Sequence, residues 1–216
     1  LRSVGIDIVE GVSRAQAEAL NAGFFLRLRE NRPFVTLKLA GSLDMRIATA
    51  GGESKWITGE AARARAHRLR AEHDAVLVGS GTALADDPAL DARLSGLGDP
   101  RRVRVVADGR LRTPLSAKLV ATARTQPTWI LTRGESPALT ASGVELVRPE
   151  TMEPRDMLAA LAARGITRVI IEGGSTLAAS FLRAGLVDRL AIFRAGIAIG
   201  GVGLPALAGV GGAELA

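Results

Sequence analysis

Short apolar, β-branched runs, each followed by small or polar residues, recur along the chain, and this pattern predicts strands that end in glycine-rich turns. Pro33-Phe34-Val35-Thr36-Leu37-Lys38-Leu39 reads as a strand ending in Ala40-Gly41-Ser42. Residues 74–79 run into Ser80-Gly81-Thr82, 103–107 into Asp108-Gly109, and 168–171 into Glu172-Gly173-Gly174-Ser175. Further strands are expected at 4–9, 128–131, 144–147 and 189–193. Helical patterns lie between them. Ser13, with Gln16 reaching back, is expected to cap a helix running to about Leu28, and others are expected over 60–70, 154–164 and 176–184. Pro154 suits a first turn, and Gly185 suits a helix end. The alternation implies an α/β domain with a mainly parallel central sheet flanked by helices. The stretch 43–58, with Gly51, Gly52 and Trp56, is a long loop for a compact domain and therefore reads as functional. The Gly-, Ala- and Leu-rich tail from Gly196 carries no clear pattern.

Composition narrows the chemistry. A chain of 216 residues, 47% hydrophobic, can bury a sizeable core and reads as one domain with at most an appendage, the weak boundary lying near Asn31. No apolar run approaches the roughly 20 residues of a membrane span. Arg2, Asp7 and Glu10 interrupt the start where a signal peptide would need an apolar stretch, so a cytoplasmic location is the expectation. There is no cysteine, which excludes disulfides, thiolate metal sites and a cysteine nucleophile. His67 and His73 are six positions apart, not the i, i+4 spacing of a helical metal pair, so no metal is expected. Tyrosine is absent as well, leaving Lys, Asp and Glu for proton transfer. The net charge of +6 comes with only 3% aromatics and with arginines spread from Arg2 to Arg194. A phosphate-bearing small molecule fits that distribution better than nucleic acid.

Ligands of open α/β sheets gather at the carboxyl ends of strands. Gly173-Gly174-Ser175-Thr176 would aim backbone N–H groups and hydroxyls at one point and could seat a phosphate, though an ordinary capped strand-to-helix turn has the same composition. The chain lacks both G-x-G-x-x-G and G-x-x-x-x-G-K-[ST], which disfavours a Rossmann or P-loop site. Glu172, beside the glycine turn, could bond a sugar hydroxyl or simply favour a helix N-terminus. Lys38 is either a cleft cation or a lysine snorkelling to solvent. Asp86-Asp87-Pro88 has no third ligand nearby in sequence and reads as capping and turn residues.

Several of these stretches also form a recognisable set. Pro33 to Lys38, Ser42-Leu43-Asp44, Gly52-Glu53-Ser54-Lys55-Trp56-Ile57-Thr58, Leu69-Arg70, residues 74–79, 82–90 and 104–108, and Glu172-Gly173-Gly174-Ser175-Thr176-Leu177 resemble, in order and spacing, the reductase half of the bifunctional riboflavin biosynthesis protein RibD. The resemblance implies a dihydrofolate-reductase-like fold over 31–216, with residues 1–30 a remnant of the C-terminal part of a deaminase domain. It implies NADPH-dependent reduction of 5-amino-6-(5-phosphoribosylamino)uracil, a phosphorylated pyrimidine, to its ribitylamino product. Cofactor contacts would be Ala40, Trp56, Thr82, Asp86, Gly109, Gly174, Ser175, Thr176, Leu177, Ala178, Ala179 and Ser180. Substrate contacts would be Ser54, Arg70, Leu90, Arg93 and Glu172, with Lys38 and Glu172 as the catalytic candidates. It also implies a homodimer, and a deaminase domain in the full-length protein. The deaminase chemistry needs two cysteines that this chain lacks, so no deaminase activity is expected. Two positions depart from the family pattern: Met45 replaces the glycine of Ser-Leu-Asp-Gly, and Gly200-Gly201-Val202-Gly203 replaces Gly-Gly-Asp-Gly. A pterin reductase of the same fold, or an inactive NADPH-binding regulatory domain, are the alternatives.

Overall fold

The computed structural model describes residues 1–54, 57–93 and 102–209. After a 3-10 turn at Arg2–Val4 come α1 (Arg14–Leu20), α2 (Ala22–Glu30), β1 (Phe34–Gly41) and β2 (Arg46–Ala48). The middle of the chain forms α3 (Glu60–Ala71), β3 (Ala75–Gly79), α4 (Ser80–Asp86), β4 (Val103–Ala107), α5 (Lys118–Ala121) and β5 (Thr128–Leu131). It continues through α6 (Pro137–Ala141), β6 (Glu145–Val147), α7 (Pro154–Ala163), β7 (Arg168–Glu172), α8 (Ser175–Arg183), β8 (Arg189–Arg194) and β9 (Leu204–Pro205). Seven strands make one sheet in the order β6-β5-β4-β3-β7-β1-β8, and every pairing in it is parallel. All strand exits therefore open onto the same edge.

The central strands are mostly apolar because both faces of the sheet are covered. Leu37, Leu77, Val105 and Ile171 pack on one side against Leu158 and Leu161 of α7 and Phe181 of α8. Val76, Val78, Val106 and Ile170 pack on the other side with Leu69 of α3 and Leu119 of α5. Two carboxylates bind the strand starts together. Asp74 accepts from the Thr167 N–H and hydroxyl and from the Arg168 N–H, at 2.7–2.9 Å. Asp188 accepts from Val35 N–H at 2.8 Å and from both terminal nitrogens of Arg32 at 2.7 and 2.9 Å.

The strands expected at 33–39, 74–79, 103–107, 128–131, 144–147, 168–171 and 189–193 are present within a residue or two at their ends. The strand expected at 4–9 is absent. Those residues join no strand of either sheet, Gly5 turns the chain at φ 80, and Val4 and Val9 face solvent. Ser13 does not cap through its side chain, because it lies in the left-handed region at φ 54. The single helix expected to run to Leu28 is two, broken at Asn21, whose side-chain amide donates to Ala17 O and competes with the helical backbone. Ser80-Gly81-Thr82 is the first turn of α4 and not a free glycine loop.

The long loop and the unassigned tail explain each other. Within the loop, β2 pairs antiparallel with β9 of the tail. Asp44 fastens this arm, its carboxylate accepting from Ser42 Oγ at 2.6 Å and from the N–H groups of Ile199 and Gly200 at 3.1 and 2.8 Å. Next to it, Met45 takes φ 54, the left-handed conformation that a glycine adopts without strain. The family's glycine at this position thus has a backbone reason, and Met45 adopts the same turn while packing against the core.

Candidate active site

A cleft of about 900 Å³ runs along the carboxyl edge of the sheet, within the range of small-molecule sites. The exits of β1, β7, β3 and β4 form its floor, and the β2–β9 arm contributes Ile47, Ala48, Leu204 and Ala206 to a wall. At its centre, Gly173 and Gly174 have φ 64 and 79. A Cβ on Gly173 would lie 2.9 Å from Thr82 Cγ2, and one on Gly174 3.2 Å from Thr82 Oγ1. Only glycine allows this turn to close on α4 while leading directly into α8 at Ser175. The result is a cradle of backbone beside a nine-residue helix N-terminus, a setting that suits a phosphate or diphosphate.

Toward β1 the cleft meets a charged group. Lys38 lines the cleft with its side chain 18% exposed, and its Nζ lies 3.9 Å from Glu172 Oε2 and 5.9 Å from the centre of the Phe193 ring. Parallel pairing of β1 with β7 puts Lys38 and Glu172 at the same register position, which is why the two side chains meet. Glu172, 8% exposed, receives two bonds from Arg70, at 2.6 Å from Nε and 2.9 Å from Nη2. Arg70 Nη1 also donates to Asp91 O at 2.9 Å. With three of its five N–H groups engaged, Arg70 keeps two for another acceptor. Burial pushes the Glu172 carboxyl upward, but the Arg70 hydrogen bonds and charge outweigh it, aided by Lys38, and hold it below its ordinary range. Burial lowers the Lys38 pKa, Glu172 opposes this and Arg70 adds to it. Lys38 is therefore a cation that gives up its proton more readily than a surface lysine does.

Ala40, Ser54, Thr82, Asp86, Gly174, Ser175, Thr176, Leu177 and Ser180 all line the cleft with Lys38. Ser54 Oγ donates to Asp86 at 3.4 Å, so Asp86 belongs to the site. Asp87 takes the turn role, accepting from Lys118 N–H at 2.8 Å at the start of α5. Gly109 is exposed beside Met152, which itself lines the cleft. Arg70 and Glu172 stand behind the wall and reach it through Lys38. Arg93 lies outside the lining, its side chain 73% exposed and paired with Asp91 at 2.7 Å. Leu90, at φ 54, is buried in the core. Ala178 and Ala179 are buried on the inner face of α8 and do not line the cleft. Trp56 falls outside the described residues.

Sequence reasoning missed Arg63, Arg112 and Met152, which also line the cleft. Arg112 and Met152 follow the β4 and β6 exits, so the strand-exit rule would have reached them had it been extended a few residues further along each turn. His73 is a core residue, its ring nitrogens bonded to Leu69 O at 2.6 Å and Thr36 Oγ1 at 2.7 Å.

Comparison with known proteins agrees with this geometry. The family model described as the RibD C-terminal domain matches residues 33–215. The riboflavin biosynthesis protein RibD of Bacillus amyloliquefaciens is 42% identical over 215 residues, covering 96% of this chain and 57% of that protein. The chain thus spans little more than half the length of the curated relatives it matches. Among solved structures, Acinetobacter baumannii RibD superposes with a TM-score of 0.85 at 33% identity, over 97% of this chain and 59% of that one. A Thermotoga maritima diaminohydroxyphosphoribosylaminopyrimidine deaminase/5-amino-6-(5-phosphoribosylamino)uracil reductase gives 0.83 at 32% identity, over 96% and 57%.

Proposed function

The chain belongs to the RibD C-terminal domain family and has its dihydrofolate-reductase-like fold, and we propose that it reduces 5-amino-6-(5-phosphoribosylamino)uracil to the ribitylamino product with NADPH. The observation that carries this reading is the continuity of one cleft from the Lys38–Glu172 pair to the Gly173-Gly174 cradle. A hydride acceptor at the first and a dinucleotide diphosphate at the second would share one enclosed space. The T. maritima relative, whose title includes this reductase activity, supports the choice of substrate.

The residues present fit a nicotinamide dinucleotide, since the cradle offers the backbone of two glycines and a helix N-terminus at one point of the cleft. When bound, that group supplies the hydride that ends on C1′ of the sugar, while C1′ gives up its bond to the ring oxygen. Lys38 holds a proton for that oxygen, which becomes the 4′-hydroxyl, so one hydride and one proton account for the added atoms. Glu172 keeps Lys38 charged until the proton is needed, and Arg70 keeps Glu172 ionised. The two remaining N–H groups of Arg70 and the exposed Arg93 are the proposed ligands of the substrate phosphate, with Ser54 and Leu90 completing that end. The β2–β9 arm excludes water from the reacting carbon.

In the full-length protein a deaminase domain would precede this one, and a cytoplasmic homodimer completes the reading. No helix of the described residues is long and apolar enough to cross a membrane. The deciding assay is NADPH oxidation by the purified chain with the ribosylaminouracil phosphate, using dihydrofolate as the control substrate. Oxidation with the former and not the latter is expected. Turnover of dihydrofolate alone would reverse the assignment.

A further inference from the structure

The segment 89–93, between α4 and β4, carries Arg93 and is pinned to α3. Leu90 turns it into the core at φ 54, a conformation that disfavours a side chain and so has to be held from outside. His67 and Arg70 do this from α3, where a spacing of three places them on one face of the helix. Arg70 Nη1 donates to Asp91 O at 2.9 Å. His67 Nδ1 lies 3.2 Å from Asp91 O and 3.2 Å from Arg93 N.

These two contacts of one nitrogen exclude each other. A ring nitrogen accepts when it is bare and donates when it is protonated. Asp91 O already has a donor in Arg70, whereas among the described residues the Arg93 N–H meets no acceptor except Nδ1. The hydrogen-bond network therefore assigns the bare form to Nδ1 and the proton to Nε2. The consequence lies in the Arg93 side chain. Its Nε donates to Asp91 Oδ2 at 2.7 Å, which leaves four of its five N–H groups for another acceptor. Both guanidiniums of the phosphate end thus gather on Asp91, Arg70 at its carbonyl and Arg93 at its carboxylate. Arg70 is fixed a second time by Glu172, but Arg93 is 73% exposed and depends on where its backbone is held. Fixing that backbone in advance reduces the ordering cost of binding a ligand.

We propose that His67 is a positioning residue for the substrate: its bare Nδ1 fastens the Arg93 backbone to α3 and so holds the Arg93 guanidinium beside Arg70, where both meet the substrate phosphate. This rests on the reading of Arg70 and Arg93 as phosphate ligands. His67 touches no reacting atom, so it sets KM and not kcat. The test measures both constants for the ribosylaminouracil phosphate in the wild type, His67→Leu, His67→Gln, His67→Asn, Arg93→Ala and the double variants of Arg93→Ala with His67→Leu and His67→Gln. Binding of ribose 5-phosphate supplies a readout without turnover. Loss of one hydrogen bond should raise KM about 3- to 10-fold in His67→Leu and leave kcat within about 2-fold, with ribose 5-phosphate weakened in parallel. His67→Asn, whose Oδ1 can stand where Nδ1 does, should recover most of the loss. His67→Gln, whose amide reaches the Nε2 position instead, should not, and it replaces His67→Leu if that variant fails to fold. In the Arg93→Ala background the His67 change should add nothing further. An unchanged KM in both loss variants, a loss confined to kcat, or a KM effect that persists in full without the Arg93 guanidinium would overturn the role of His67 alone. If Arg93→Ala itself leaves KM and ribose 5-phosphate binding unchanged, the phosphate site lies elsewhere and the role of His67 falls with it.

Discussion

Replacing Arg70 by methionine removes the guanidinium from a buried carboxylate while keeping much of the side-chain volume. Breaking a buried ion pair from one side costs about 3–5 kcal/mol, most of it the penalty of leaving a charge without its partner. Lys38, 3.9 Å away, still compensates Glu172, so the lower end, about 3 kcal/mol at neutral pH, is expected. The cost should depend on pH in a defined direction. In the wild type the Glu172 carboxyl titrates below its ordinary value, so its contribution is complete above the unfolded pKa of about 4.3 and fades as pH falls through the lower folded value. In Arg70→Met burial acts with less opposition and the carboxyl titrates higher than in the wild type. The gap between the two proteins should therefore open as pH rises from the lowered wild-type value through the higher value of the variant. Once pH has fallen through the lowered wild-type value, only altered packing remains, about 1 kcal/mol. Urea unfolding of both proteins at several pH values measures this gap directly. A cost that does not change with pH, or one under about 1 kcal/mol at pH 7, would show that Arg70 does not hold an ionised Glu172. Glu172→Gln, which leaves a neutral amide opposite Arg70, should show little of this pH dependence.

Other expectations concern the cleft and its arm. Lys38→Ala should fold normally by circular dichroism and lose about 100-fold or more in kcat, with the wild-type alkaline limb lying below the ordinary lysine value of 10.5; near-full turnover would remove Lys38 from the mechanism. Gly173→Ala forces a Cβ to 2.9 Å from Thr82 Cγ2 at φ 64, so it should cost about 1–2 kcal/mol in thermal unfolding and raise the dinucleotide KM, whereas unchanged affinity would place the diphosphate elsewhere. In Asp44, the Ser42 hydroxyl, then the Ile199 and Gly200 N–H groups, draw the carboxyl down to about 2, so its stabilisation is present above about pH 4 and disappears as pH falls toward 2. Asp44→Asn should flatten that acid limb and speed proteolysis near residues 199–203; a cleavage rate equal to the wild type would mean the arm is held by something else.

The sheet was legible because each buried strand is a short apolar run ending at glycine or a small residue, and a run such as Ala75-Val76-Leu77-Val78 cannot be placed on a half-solvated surface. The pairing of Lys38 with Glu172 was not, since it depends on which strands are neighbours and in what register. Residues 4–9 have strand composition but no partner, and composition carries no information about partners. The four-residue α5 and five-residue α6 were missed because helices that short are set by tertiary packing and not by periodicity. The glycine cradle was visible as residue types, yet the physical need for those glycines comes from Thr82, some ninety residues earlier in the chain. Nor does a contiguous stretch such as 174–180 reveal that Ala178 and Ala179 face inward, since that depends on which side of α8 packs on the sheet.

The Asp74 and Asp188 clamps lie at the opposite edge of the sheet from every residue of the cleft. Strand pairing is thus anchored without any group that a ligand touches, and the two edges form separate modules for variation. Loops on the cleft edge, including the arm with Met45 and Val202, can drift in sequence or length while the clamps at the far edge keep their partners. A laboratory library confined to the cleft turns should therefore yield folded proteins with altered ligand preference at a high rate, whereas the same mutational load placed around Asp74 and Asp188 should mostly yield insoluble chains.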